Sequence, residues 1–296
     1  MSFFRRPLDI TNATVRAASE RDITEVSRVL RDGSYRFFNA PGSDLPALLA
    51  SHQAVVLTIG AQVVAAAVAD WPIEQVCWLR GLMFAQGIAL SDGLDALLPA
   101  FHDMLRERGL RQIFYAGDMS ADSWAQPGLL RRGYARETDV IVYENRRLDI
   151  PSTGKQDVTI RHAEPVDLLA IMAVDQAAFA PQWVKDEGVL SPAIADMSFF
   201  IVAELHGAIV GYAFATAHFN GRLVHLVRIA VHPAQHGHGI GIRLLAQVVA
   251  YARTSGAESL TLNTQLENTQ AQRLYEWFGF RRTGERQRVL RYDLVR

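Results

Sequence analysis

The stretch HPAQHGHGIGIRLL, residues 232–245, sets Gly237, Gly239 and Gly241 on alternate positions directly ahead of an apolar run. Before it, VHLVRIAV (224–231) has the β-branched, apolar character of a strand. After it, Leu244, Leu245, Val248, Val249 and Ala252 recur at helical spacing, and Gly256 supplies a stop. The order is strand, tight glycine loop, helix. A helix N-terminus carries unpaired N–H groups and the positive end of the dipole, and glycine lets that backbone approach an anion. The loop points to a phosphate, with a purely structural strand-to-helix turn as the alternative. It is not a Walker loop, because no Gly-Lys-Ser/Thr follows, nor a dinucleotide fingerprint, whose spacing is Gly-x-Gly-x-x-Gly.

Outward from the loop, the chain reads twice. VRAASERD from Val15 resembles IRHAEPVD from Ile160, with Asp22 and Asp167 in step. GAQVVAAAVA from Gly60 resembles GAIVGYAFATA from Gly207, and the helical run from Gly93 resembles the one from Gly241. Gly133 stands to LLRRGYARET as Gly279 stands to EWFGFRRTGE. Four matches in one order, 145 to 148 residues apart, imply a duplication. Between the copies, ENRRLDIPSTGKQD (144–157) is polar and carries Pro151 and Gly154, as a linker does. The expected division is 1–146, a linker at 147–157, and 158–296. Each half predicts an extended start, a helix (Ile23–Asp32; Val166–Ala178), a hairpin, and then strand–helix–strand–helix–strand. That is an α+β arrangement, a mostly antiparallel mixed sheet flanked by helices, not a doubly wound parallel one.

Composition narrows the function classes. Of 296 residues, 49% are hydrophobic and 21% charged, with a net charge of −1. This describes an ordinary globular protein without the basic excess of a nucleic-acid binder. Cys77 is the only cysteine, so neither an intramolecular disulfide nor a cysteine zinc site is expected, and no metal. MSFFRRPLDI has no signal-peptide core and no apolar run reaches 18 residues, so the expectation is a cytoplasmic chain off the membrane.

A second motif gives the glycine loop its meaning. NTQAQRLYEWFGF (268–280) places Ala271, Leu274, Tyr275 and Phe278 on one helical face, with Asn268 at the N-cap and Gly279 at the stop. Together with VHPAQHGHGIG this resembles the GNAT superfamily of acyl-CoA-dependent N-acetyltransferases over about 70 residues. In that family a V-x-P strand end precedes [Q/R]-x-x-G-x-[G/A], and N-x-x-A-x-x-L-Y-x-x-x-G-F follows after another strand. The second motif matches at every fixed position. In the first, His236 stands where the family has Gln or Arg. The fold implied is two tandem GNAT-like domains.

The resemblance implies roles for individual residues. The amides of Gly237, His238, Gly239, Ile240, Gly241 and Ile242, with His236, would hold the pyrophosphate of acetyl-CoA. The backbone of Ile229, Ala230 and Val231 would pair with the pantetheine arm and polarise the thioester carbonyl. Asn268 would touch the arm, or serve only as a cap. Tyr275 would protonate the departing thiolate, a role open to a phenol that is neutral at pH 7; its alternative is core packing. The glutamates that serve as base in the family fall at Val227 and Asn263, so His225, Glu267 or a water relay are the candidates. DQAAFAPQW (175–183) follows the helix that shapes the family's acceptor pocket.

The first half lacks this chemistry. Ala89 and Ser91 oppose Gly237 and Gly239, and Leu129 opposes Tyr275. It is expected to be a degenerate copy that lacks the acid, holds CoA poorly and walls one side of the acceptor cleft. The leading expectation is an N-acetyltransferase acting on an unidentified primary amine, with a non-catalytic acyl-CoA-binding or sensor protein as the alternative. Oligomeric state is not legible.

Overall fold

A computed structural model describes residues 8–40, 44–73, 75–196 and 199–294. The chain divides into two compact units, Met1–Glu137 with Gln287–Arg296, and Thr138–Arg286. The division differs from the expected 1–146 and 158–296. Residues 138–146 belong to the second unit and the C-terminal strand ends in the first. The sequence pattern misses this because a strand's apolar alternation records that it is half-buried, not which sheet buries it.

In the first unit the elements are β1 (Thr14–Ala17), α1 (Ile23–Asp32), β2 (Tyr35–Phe38), α2 (Asp44–Ala50), β3 (Ala54–Ile59), β4 (Gln62–Ile73) and β5 (Val76–Phe84). Then come α3 (Leu90–Glu107), β6 (Gln112–Ala116), α4 (Met119–Asp122), α5 (Ala125–Leu130) and the first residues of β7 (Ala135–Asn145). β1, β3, β4 and β5 pair antiparallel in that order, and β5 pairs β6 in parallel. The end of the C-terminal strand, Val289–Asp293, closes on β6. The core is continuous through Val56, Ala66, Leu82, Leu97, Phe101 and Leu290, all fully buried.

The second unit contains the rest of β7, β8 (Thr159–His162), α6 (Leu168–Ala178), α7 (Glu187–Asp196), β9 (Phe199–Leu205) and β10 (Ala208–His218). β11 (Leu223–Val231), α8 (Ile240–Thr254), β12 (Ser259–Gln265), α9 (Thr269–Trp277) and the start of β13 (Arg281–Asp293) complete it. Its sheet runs β8, β9, β10, β11, β12, β7, with only β11 and β12 parallel among the described pairs. The five-residue stripe read on α8 is wholly buried: Leu244, Leu245, Val248, Val249 and Ala252 are each 0% exposed. Each of its larger side chains contributes roughly 1.5–3 kcal/mol by leaving water. The expected α+β class with mixed, mostly antiparallel sheets is what the units show. No described helix is long and apolar enough to cross a membrane.

The two units repeat one irregularity. In the second, Phe214 pairs Arg228 while Ala215 pairs Leu226, so Val227 is a bulge residue without a partner on β10. In the first, Val68 pairs Gly81 and Ala69 pairs Leu79, which makes Arg80 the bulge. Arg80 and Val227 are 147 residues apart, the same offset as the two parallel pairings, Val76–Gln112 and Leu223–Ser259. A bulge bends its strand and strengthens the twist. Inherited at one offset, it is a stronger sign of duplication than any of the sequence matches.

Candidate functional site

The bulge opens the second unit's sheet. β11 and β12 pair only as far as Leu226 and Leu262. Beyond that point β11 stays with β10 and β12 stays with β7, so the strands diverge. A cavity of about 370 Å³ fills the fork. Its walls are Leu226–Val231, Leu262–Gln265, the loop from Gln235 into α8, and α9 from Asn268 to Tyr275; Ala178 and Phe179 border it.

Strand alternation fixes which backbone groups face this opening. His232 N–H donates to Val210 O on β10 at 2.8 Å, so by alternation Val231 and Ile229 turn their polar groups to the open edge and Ala230 turns its own to β10. The carbonyl of Val231 is already taken, by His236 Nε2 at 2.9 Å. Because a carbonyl only accepts, Nε2 carries the hydrogen. What remains on the edge is the N–H of Ile229, its C=O, and the N–H of Val231, a ladder without a partner strand. An extended amide-bearing chain is its natural complement.

The loop is built for close approach. Gly237 and Gly239 have φ of +78° and +79°, a left-handed conformation that costs other residues roughly 1–2 kcal/mol. Gly239 is the N-cap of α8 and offers no side-chain cap, so the first N–H groups of the helix are left for a ligand. A β-carbon on Gly237 would meet nothing within 4 Å, consistent with a loop open to the outside. His238 is exposed and outside the cavity lining, whereas Gly237, Gly239, Ile240, Gly241 and Ile242 all belong to it.

α9 carries the one phenol in the lining. Asn268 caps the helix by accepting from Ala271 N at 3.2 Å, and its amide nitrogen makes no bond to a described residue. Gln272, 5% exposed, donates to the carbonyls of Gln265 and Leu266 at 3.1 and 2.7 Å and so holds α9 to the end of β12. Tyr275 is 5% exposed, packed by the rings of Tyr143 and Phe280. Its hydroxyl bonds to no described residue, and it lines the cavity. Burial pushes the phenol well above its usual range, so it stays protonated.

His225 falls outside the lining. Its Nδ1 lies 2.9 Å from Thr261 Oγ1, and burial, then His218, holds the imidazole below its usual value. Glu267 is also outside, its carboxylate accepting from the Thr138 hydroxyl. Sequence reasoning missed Arg228 and gave no role to Asp175, although Asp175 opens the quoted stretch DQAAFAPQW. Asp175 is fully buried near the end of α6, where it accepts from Lys185 N at 2.7 Å, from the Tyr212 hydroxyl and from Arg228 Nε and Nη2, both at 2.9 Å. The signal was present: an aspartate one turn after Ile171, on the buried face of a helix, demands a partner.

In the first unit the corresponding edge is closed. β5 pairs β6 only over Val76–Trp78, but β2 lies antiparallel against Gly81–Phe84. Ser34 N donates to Phe84 O at 3.0 Å and Asn39 N to Arg80 O at 2.7 Å. Phe37 packs edge-on against Tyr115 of β6, at 5.1 Å. Gly33 is obligatory, since a β-carbon there would lie 2.4 Å from Phe84 O. The loop into α3 is five residues, 85–89, against eight, 232–239, in the second unit. Ala89, the N-cap of α3, has an ordinary φ of −68°.

Comparison with known proteins agrees with this geometry. Residues 168–280 match the Acetyltransferase (GNAT) family. It is 31% identical to mycothiol acetyltransferase of Streptomyces griseus over 134 residues, 42% of this chain and 43% of that one. It is 35% identical to N-acetylaspartate synthetase of Danio rerio over 88 residues, 30% of this chain and 31% of the relative. The chain thus spans less than half the length of these curated relatives. A solved tandem GNAT protein of the clavulanic acid biosynthesis pathway shares the fold across 96% of this chain and 99% of its own, with a TM-score of 0.57 and 12% identity.

Proposed function

We propose that the second unit is an acetyl-CoA-dependent N-acetyltransferase and that its fork is the single working site. The observation that carries this reading is a partnerless strand edge, Ile229 and Val231, beside a proton-bearing phenol, Tyr275, whose hydroxyl has no partner among the described residues. The amides from Gly237 to Ile242, with His236 closing the loop, hold the pyrophosphate. The β11 edge pairs with the pantetheine amides, and a fixed N–H of that edge polarises the thioester carbonyl. Asn268 offers its amide nitrogen to the arm. The amine nitrogen attacks the carbonyl carbon, the C–N bond forms and the C–S bond breaks, and Tyr275 gives its proton to the departing sulfur.

No carboxylate lines the cleft among the described residues. The amine therefore attacks in its neutral form, the nitrogen sheds a proton to water in the open cleft as the C–N bond forms, and water returns a proton to the Tyr275 oxygen; an α-amine, titrating near 8, reaches the neutral form more readily than a lysine. The same absence favours the second reading, an acyl-CoA sensor without turnover. Release of free thiol from acetyl-CoA with an amine panel, comparing wild type with Tyr275→Phe, separates them. Turnover that falls in the variant supports catalysis; turnover unchanged by it removes the role of Tyr275. The first unit, its edge filled by β2, we read as a non-catalytic copy. The donor is an intracellular metabolite, which is why we place the protein in the cytoplasm.

A further inference from the structure

The acceptor end of the cleft has a distinct electrostatic character. Apart from imidazole, one ionisable cation lines the cavity among the described residues, Arg228, and no acid does. Arg228 is 10% exposed and its guanidinium lies over the ring of Phe179, 3.4 Å from the centroid. Its Nε and one Nη2 hydrogen go to Asp175 at 2.9 Å each, and the other Nη2 hydrogen to Trp183 O at 2.7 Å. An arginine has five donors. Three go to Asp175 and Trp183, and the guanidinium also reaches the Tyr212 hydroxyl.

Asp175 is equally constrained. Its four bonds join α6, the segment after it, β10 and β11, so the arginine cannot leave without stranding a buried carboxylate. The result is a guanidinium fixed from behind and stacked on one face, on the residue next to Val227, the bulge where the strands part. A guanidinium so placed can give a carboxylate oxygen a charge-assisted hydrogen bond. A cationic acceptor such as a polyamine would meet no carboxylate among the described residues of this lining.

We propose, resting on the acyl-transfer role of this cleft, that Arg228 is its specificity residue and that the acceptor is an amine carrying a carboxylate, held by a charge-assisted hydrogen bond from the Arg228 guanidinium. The test works whichever amine is the natural one. Two thioethers of CoA are compared by calorimetry, one ending in S-CH₂-CO-glycine with its free carboxylate, the other in the corresponding glycinamide. CoA alone is titrated first. The expected result is that the carboxylate compound binds at least about tenfold tighter than the amide. In Arg228→Lys, which keeps a cation on Asp175 but loses the guanidinium's further donors, that ratio shrinks while the affinity for CoA alone is unchanged. Equal binding, or tighter binding of the amide, overturns the assignment while leaving the CoA site standing. Failure of CoA itself to bind overturns the acyl-transfer reading and this one with it, and is seen in the first titration. If Arg228→Lys does not fold, the wild-type ratio alone decides.

Discussion

Arg161 grips the carboxylate of Asp167 through hydrogen bonds of 2.6 and 2.8 Å, and Arg16 repeats the grip on Asp22 at 2.8 and 2.6 Å. In both copies the aspartate also accepts a backbone N–H three residues earlier, from Glu164 at 2.8 Å and Ser19 at 2.9 Å. The arginine in each pair holds its carboxylate below the usual range, against the opposing effect of burial. A depressed folded-state value adds stability above the unfolded value near 3.9, and loses it as pH falls through the folded one. Asp167→Asn should therefore lower stability at pH 7 by about 1–2 kcal/mol, allowing for solvent screening of the arginine. Chemical denaturation at pH 7 and pH 3 should show that gap closing in acid; a gap that persists would mean that the amide costs something other than the ion pair.

Tyr275→Phe should reduce kcat about 100-fold or more while CoA affinity stays within about twofold. Because burial raises the phenol, the wild-type rate should climb with pH as the amine deprotonates and show no alkaline fall from Tyr275 below about pH 10. A fall near neutrality in stopped-time assays would assign the proton to another group.

The left-handed loop residues are the most direct probe of the phosphate site. Gly237→Ala meets no atom within 4 Å, so its cost is backbone strain alone. That strain should weaken CoA about 5- to 30-fold in a titration. An unchanged Kd would detach the loop from phosphate binding.

His236 departs from the family's Gln or Arg, and its bond to Val231 O gives the reason it is tolerated: all three side chains can donate there. His236→Gln should keep CoA affinity, and His236→Ala should lower it. Equal loss in both variants would indicate that the imidazole itself touches the cofactor.

Much of this is legible in the sequence alone. The helix Ile23–Asp32 and the α8 stripe follow from apolar period, and Asn268 from capping chemistry. Local pattern does not reveal pairings between distant segments. YRFF at 35–38 carries no mark that it would fill the edge of β5. The charges of Arg286–Arg291 do not mark Val289 and Leu290 between them as fully buried, nor Arg291 as the partner of Glu137. His225 lies on a neighbouring strand position to the cleft, but the bulge at Val227 shifts the strand alternation between them.

One titration tests the central claim most directly. Calorimetry of the whole chain with CoA should give one site per chain, because β2 occupies the edge in the first unit while the fork beside Ile229 and Val231 is open among the described residues. The heat should be strongly reduced by Gly237→Ala with Gly239→Ala. No binding, or two sites per chain, would contradict the account.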